Sequence, residues 1–421
     1  MEFLNKLKSC LNEHIIETND ILNSYIKLNN YNTFFYYFKS KTGEFFKKKI
    51  HYSPKPINCK MKNQDIDFDV PSDTFENKIV PVTLIIPAYN EEFSIGYALT
   101  SLLNQTVLPE QILVVDDSSS DKTGEIAKSF KEVTVVKTPK NSGSKGHALN
   151  YGLSFVKSKF TMAMDADITL EKNAIKKMLE YMDTHSEISA TCTFVLPKKI
   201  KTLWDHTRFI EYLFALSFYK SVQQMYDSIV ICSGCFTIYK TNDLKEVGGW
   251  PTHTIAEDME LTWVLYEHGK HIGYNADTFC FAVEPENFRL LFKQLKRWNI
   301  GFFQVLKLKW KNMKKLAVIR EFVIAGLLDT LIGIAFNIAL IYYTISHLDL
   351  SRYGLFIILD IIMLLIPSLW LAIKIKMARQ LLRSLPIYLI FRILGSFFFF
   401  YGLLSVFIIR KNTIHFEKGH K

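Results

Sequence analysis

Val82-Thr83-Leu84-Ile85-Ile86-Pro87-Ala88-Tyr89-Asn90-Glu91 reads as a buried strand closed by proline and a polar turn. A helix is expected after it, from about Glu91 to Asn104. The same cycle then repeats. Ile112 to Val115 is a second strand, ended by Asp116-Asp117-Ser118-Ser119-Ser120-Asp121, with a helix starting near Lys122. Val133 to Val136 is a third strand. Phe160 to Met164 is a fourth and runs into Asp165-Ala166-Asp167. Strand, polar turn and helix in repetition predict a parallel sheet covered by helices, the α/β class. Ligands of such sheets collect at the carboxyl ends of the strands, where these acidic residues fall. Core packing does not explain that placement.

Working outward, three hydrophobic segments follow the α/β region: Phe322 to Ser346, Leu355 to Ile373 and Leu385 to Ile409. Each is long enough to span a bilayer, and each carries one charge (Asp329, Asp360, Arg392). Such charges normally face protein or a polar cavity, so either a lined passage or plain interhelical pairing fits. Lys374, Lys376, Arg379 and Arg383 suit a cytoplasmic loop, whereas Arg410, Lys411, Lys418 and Lys421 would also favour the inside. Three full spans cannot satisfy both groups, and Pro386 and Arg392 mark the third segment as the one to lie in the interface. Before the α/β region, residues 1–80 are rich in Asn, Lys and Tyr. Phe34 to Phe38 beside Lys39, and Lys47 to Lys49 beyond, fit a cap on the next domain or an interfacial membrane contact. Met1 to Lys6 lacks the apolar run of a signal peptide, which predicts a cytoplasmic extension. The expected domains are therefore 1–80, 81–315 and 316–421.

The 421 residues carry a formal charge of +10 and 14% aromatic residues. A basic balance suits nucleic acid or an anionic membrane surface. No compact Lys/Arg stripe with interleaved aromatics is present, so no nucleic acid partner is expected and membrane lipid is. The six cysteines do not form a secreted disulfide framework; Cys232-Ser233-Gly234-Cys235 has no second pair and reads as structural.

The chemistry is carried by a short set of residues. Asp165 and Asp167 put two carboxylates on one side of an extended backbone, hard ligands for Mg²⁺ or Mn²⁺ on a diphosphate. Asp116 and Asp117 would accept hydrogen bonds from a uracil ring or ribose, while capping of the helix beyond Asp121 fits them too. Asn141 to Gly146 is a flexible, basic loop before a helix, suited to bring Lys145 to a diphosphate. It lacks the spacing of an ATPase phosphate loop. Glu257-Asp258 precedes an apolar helical stretch, Leu261 to Tyr266. A general base removing a proton from a hydroxyl fits this position, and so does charge matched to a helix N-terminus. In Gln294-Leu295-Lys296-Arg297-Trp298 a guanidinium would neutralise a departing diphosphate and an indole would stack on a sugar.

These motifs together resemble the family 2 glycosyltransferases, the branch holding cellulose, hyaluronan, chitin and poly-N-acetylglucosamine synthases. The match rests on Pro87 to Glu91, Asp116-Asp117, Lys145-Gly146, Asp165-Ala166-Asp167, Ser233-Gly234, Glu257-Asp258 and Gln294, Arg297 and Trp298. It covers residues 81 to about 305. The resemblance implies a GT-A nucleotide-sugar domain followed by a transmembrane helical region in the cell membrane. It implies Asp116 and Asp117 at the nucleotide and Asp165 and Asp167 at the metal-diphosphate. Asp258, preceded by Glu257, would be the base, and Gln294, Arg297 and Trp298 would hold acceptor and diphosphate. The implied reaction is one inverting displacement with UDP leaving. The expected donor is a UDP-sugar, UDP-N-acetylglucosamine or UDP-glucose, and the acceptor a β-linked polysaccharide or a lipid-linked sugar, with membrane assembly or export subunits as partners. A non-catalytic sugar-nucleotide-binding subunit is the remaining reading. Ala256 replaces the family's usual threonine before Glu-Asp, and a soluble extension stands where many relatives begin with membrane helices.

Overall fold

The computed structural model describes residues 60–62, 65–67, 78–312, 316–347, 358, 362, 365–366 and 368–409. Most of the 1–80 extension therefore lies outside the described residues, as do most of 348–367 and the tail from 410. Its described part is a short antiparallel pair, β1 (Lys60–Lys62) with β2 (Asp65–Asp67).

The α/β region begins with β3 (Lys78–Ala88), then α1 (Ile95–Leu103), β4 (Val107–Asp116), α2 (Thr123–Lys128) and β5 (Val133–Lys137). It continues with α3 (Lys145–Leu153), β6 (Phe160–Met164), β7 (Ile168–Leu170), α4 (Ala174–Thr184) and β8 (Ile188–Pro197). The fourth strand matches its expected bounds; β3 and β4 run longer, and α1 starts later because Glu91 to Ser94 form a turn. Val82, Leu84, Ile85 and Ile86 of β3 are all fully buried. That continuous apolar run is what a parallel strand covered on both faces requires, and each such side chain contributes about 1.5–3 kcal/mol.

After β8 come α5 (Leu203–Phe214), a π-helical turn at Ala215–Tyr219, α6 (Lys220–Met225), β9 (Phe236–Lys240), α7 (Thr241–Glu246), α8 (Glu257–Glu267) and β10 (His271–Ala282). Eight strands form one sheet in the order β5-β4-β3-β6-β9-β8-β10-β7. The ladders β3–β4, β3–β6, β4–β5 and β8–β10 are parallel. β9 runs antiparallel to both its neighbours, and β7 is antiparallel to β10. The expected mostly parallel sheet is what forms, with β9 and β7 as the strands that run against the others. The second half of the sheet is mixed because β9 returns after the α5–α6 excursion from the opposite end.

Three long helices complete the chain: α9 (Phe288–Lys309), α10 (Ala317–His347) and α11 (Ala378–Phe407). The expected segment Phe322 to Ser346 lies inside α10. Leu385 to Ile409 overlaps α11, which continues helically through Pro386. Most of Leu355 to Ile373, and the side chains of Asp329, Asp360 and Arg392, lie outside the described residues. Among the described residues, no helix is long and apolar enough to cross a membrane. α11 packs along α9: Phe292 meets Phe398 edge-on at 4.9 Å, Phe303 meets Phe399 at 5.0 Å, and Lys307 Nζ donates to the Val406 carbonyl.

Candidate active site

The carboxyl ends of β3, β4 and β6 lie side by side, and the acidic motifs sit there. Asp116 is the last residue of β4, and its Oδ1 accepts from the Ser119 amide at 2.8 Å. Asp117 is more heavily engaged. Thr138 Oγ1 donates to its Oδ1 at 2.8 Å, the Ser142 hydroxyl donates to Oδ2 at 2.7 Å, and the Ser142 amide reaches both oxygens at 3.1 Å. Asn141 Nδ2 adds a bond to the Asp117 carbonyl. The Asn141 to Gly146 loop expected to be flexible is therefore pinned to Asp117. A buried carboxylate with several donors is a strong local anchor.

The pinned loop delivers Lys145, the first residue of α3, into the centre of the site. Its Nζ lies 2.5 Å from Asp165 Oδ1 and 3.3 Å from Glu257 Oε1, and donates to the Gly234 carbonyl at 3.3 Å. Gly234 in turn donates its amide to Asp258 Oδ2 at 2.9 Å. A β-carbon on Gly234 would stand 3.0 Å from Lys145 Nζ and 3.3 Å from the Asp258 β-carbon, so the site leaves little room for a larger residue there. Four segments far apart in sequence meet here: the α3 start, the β6 end, the turn before β9 and the α8 start. Ser233 Oγ accepts from Lys220 Nζ at 2.9 Å, which supports the Gly234 turn from behind. Lys220 escaped the sequence reading because a lone lysine in a helix carries no signal.

Electrostatics follow from crowding four carboxylates around few cations. Burial pushes the Asp165 carboxyl up to about 7, with Asp167 and Glu257 adding to the rise and Lys145 opposing it. Glu257 is also raised by burial and by Asp258, against Lys145. Burial pulls the Lys145 ammonium down, but Asp165, Glu257 and Asp258 outweigh it and hold the ammonium well above its ordinary value. Arg297 on α9 is lowered by burial despite Glu257, Asp165, Asp167 and Asp258 around it. Asp258 is half-buried, and its Oδ1 accepts from the Met259 amide at 2.8 Å. The carboxylate is thus oriented by two backbone amides at the N-terminus of α8, where the helix dipole favours its charge.

α9 carries Gln294, Arg297 and Trp298 on successive turns. Gln294 is buried, and among the described residues its Oε1 has no hydrogen-bond partner; Trp298 is 39% exposed. α9 is set against the start of α8 by Gly301, where an added β-carbon would be 2.8 Å from that of Ala256. The residue that departs from the expected threonine is therefore at the α8–α9 contact. Gln304 Oε1 on the next turn accepts from the Ile255 amide at 3.1 Å. Cys192, Cys232, Cys235 and Cys280 are free thiols. Among the described residues no group of three or more His, Cys, Asp or Glu is placed to hold a metal.

Residues 83–248 match the family model described as Glycosyl transferase family 2. A poly-β-1,6-N-acetyl-D-glucosamine synthase of Staphylococcus epidermidis is 29% identical over 228 residues, covering 53% of this chain and 55% of the relative. The enzyme of that name from Staphylococcus aureus is 28% identical over 265 residues, covering 62% and 61%. The chain thus spans between half and two thirds of the length of these relatives. The mannosyltransferase PcManGT from Pyrobaculum calidifontis, solved with GDP-Man and Mn²⁺, superposes with a TM-score of 0.50 at 18% identity over 73% of this chain and 87% of its own. That likeness is one of fold, in keeping with the expected GT-A-like α/β arrangement with a mixed, mostly parallel sheet. The chain carries a family 2 glycosyltransferase domain resembling that of the poly-β-1,6-N-acetylglucosamine synthases.

Proposed function

We propose that the chain is a membrane-attached, inverting glycosyltransferase. It moves a sugar from a UDP-sugar, UDP-N-acetylglucosamine or UDP-glucose, to the end of a β-linked polysaccharide. The observation that carries this reading is the convergence of Lys145, Asp165, Glu257 and Asp258 on one point at the strand ends. Asp258, half-open and held by two amides, accepts the proton of the acceptor hydroxyl. The hydroxyl oxygen then bonds to the anomeric carbon as the bond from that carbon to the diphosphate oxygen breaks, inverting the centre and releasing UDP. Lys145 and Arg297 supply positive charge toward the departing diphosphate. Asp116, at the end of β4, is assigned to the nucleotide. Asp117 acts on the nucleotide side by fixing the loop that carries Lys145.

The donor set fits a hard divalent cation. Burial pushes Asp165 up to about 7 against the pull of Lys145, so a further cation beside it would favour the ionised carboxylate. Asp165 and Asp167 would hold Mg²⁺ or Mn²⁺, which takes few protein oxygens when it also binds phosphates. Its chemistry there is neutralisation of the diphosphate charge. Membrane attachment is supported by the α10 sequence and by exposed apolar side chains such as Leu328, Ile338 and Ile345. A catalytic domain on the cytoplasmic face follows from the donor, since nucleotide sugars are made there.

Incubating membranes that contain the protein with a panel of UDP-sugars, then sizing the product, tests the reading. A polymer from one donor is expected. Single-sugar addition to a lipid-linked acceptor would favour the alternative named above, and turnover of no UDP-sugar would overturn both.

A further inference from the structure

Behind the Trp298 ring lies a buried ionic cluster that no motif announces. Arg208 of α5 is fully buried, and its guanidinium carbon sits 4.4 Å from the centroid of the Trp298 ring and 4.4 Å from that of Tyr212. Every nitrogen of the guanidinium is engaged. Nε donates to Glu284 Oε2 at 3.2 Å, one terminal nitrogen donates to Glu211 Oε2 at 2.5 Å, and the other donates to the Tyr212 hydroxyl at 2.8 Å. The carboxylates Glu211 and Glu284 keep the guanidinium charged against the burial that opposes it. A planar cation over an aromatic ring is favourable, and more so when desolvated. Burying one arginine with two glutamates nevertheless costs desolvation, and apolar side chains of equal volume would fill the space at no such cost. What the ionic arrangement adds is a fixed plane and orientation.

We infer that Arg208 is a positioning residue for the acceptor: it backs one face of Trp298 and so presents the open side of the indole to the sugar chain. This rests on the proposed acceptor role of Trp298. The same helix reaches the C-terminal helix, because His206 Nδ1 lies 2.7 Å from Ser384 Oγ. α5 therefore couples the platform to α11 as well as to α9. Lysine cannot replace the guanidinium here, since it offers charge without a plane and cannot make three directed bonds to three partners.

The test is a double-mutant cycle between R208K and W298A. It is read with UDP-N-acetylglucosamine as donor and an oligosaccharide of β-1,6-linked N-acetylglucosamine as acceptor. R208K should raise the acceptor KM about tenfold while the donor KM changes by less than about twofold. In the W298A background R208K should add nothing, because the ring it positions is gone. Additive effects, or equal damage to donor and acceptor KM, would overturn the positioning role. If W298A alone leaves acceptor KM and product length unchanged, the acceptor role of Trp298 fails instead. R208K retains the charge that Glu211 and Glu284 require. Should it still fail to accumulate, E211Q loosens the guanidinium from one side, and the same split between the two KM values decides.

Discussion

Lys145 is the pivot of the charge balance, since one ammonium faces Asp165 and Glu257 at bonding distance. Two predictions belong at this scale. Asp258→Asn removes the proton acceptor while its amide oxygen can still take the Gly234 N–H. Transfer should fall by about three orders of magnitude or more with UDP binding retained in calorimetry; near wild-type turnover would sink the assignment. The second concerns pH. In the folded protein Asp165 titrates at about 7, against an ordinary 3.8. Between those values the folded state holds the proton more tightly than the unfolded state, so metal-free stability falls as pH rises through that window. A divalent cation binds the ionised carboxylate. Mn²⁺ should therefore raise Tm more at about pH 8 than at about pH 5. Equal shifts in thermal unfolding at both values would remove Asp165 from the metal site. The sequence made Asp165, Asp258 and Trp298 legible because each sits in a short motif with a position relative to a strand or helix. Arg208, Lys220 and Glu284 were not legible: Glu211 and Tyr212 stand one turn from Arg208, but Glu284 and Trp298 reach it from far along the chain, and no motif marks the set.

α9 carries the residues proposed to hold the acceptor, and α8, α5 and α11 all pack against it. Its contact with α8 is set by Gly301 against Ala256. On propensity alone Gly301→Ala should stabilise a helix interior by about 1 kcal/mol. Here the added carbon meets the Ala256 side chain at 2.8 Å, and overpacking costs about 1–3 kcal/mol, so the second effect wins. Tm should fall or stay level, and transfer should drop as Arg297 and Trp298 shift away from Asp258. A rise in Tm with full activity would show that α9 has room to move. Gln294, Arg297 and Trp298 were legible as a motif, yet neither the helix that carries them nor its orientation was. Helix packing depends on which small residues face each other across elements, and the sequence lists them without pairing them.

For the whole molecule, a sheet-based domain is joined to long C-terminal helices, on which the proposed membrane attachment depends. α10 runs over 31 residues and leaves Leu328, Ile338 and Ile345 exposed, and the proposed membrane attachment rests on that apolar surface. The full chain should sediment with membranes and resist extraction by alkaline carbonate, as checked by immunoblotting of the fractions. Release into the supernatant would overturn membrane attachment. The sequence by itself determined the α/β class, the strand ends that carry acid, and the order of motifs along the chain. Those follow from local periodicity and from the geometry of a strand leading into a polar turn. The tertiary structure alone decided that the second half of the sheet is mixed, that Asp117 pins the Lys145 loop, and that a buried arginine backs Trp298. Each of these is a contact between distant segments, fixed by burial and by directed bonds that exist only once the chain has closed on itself.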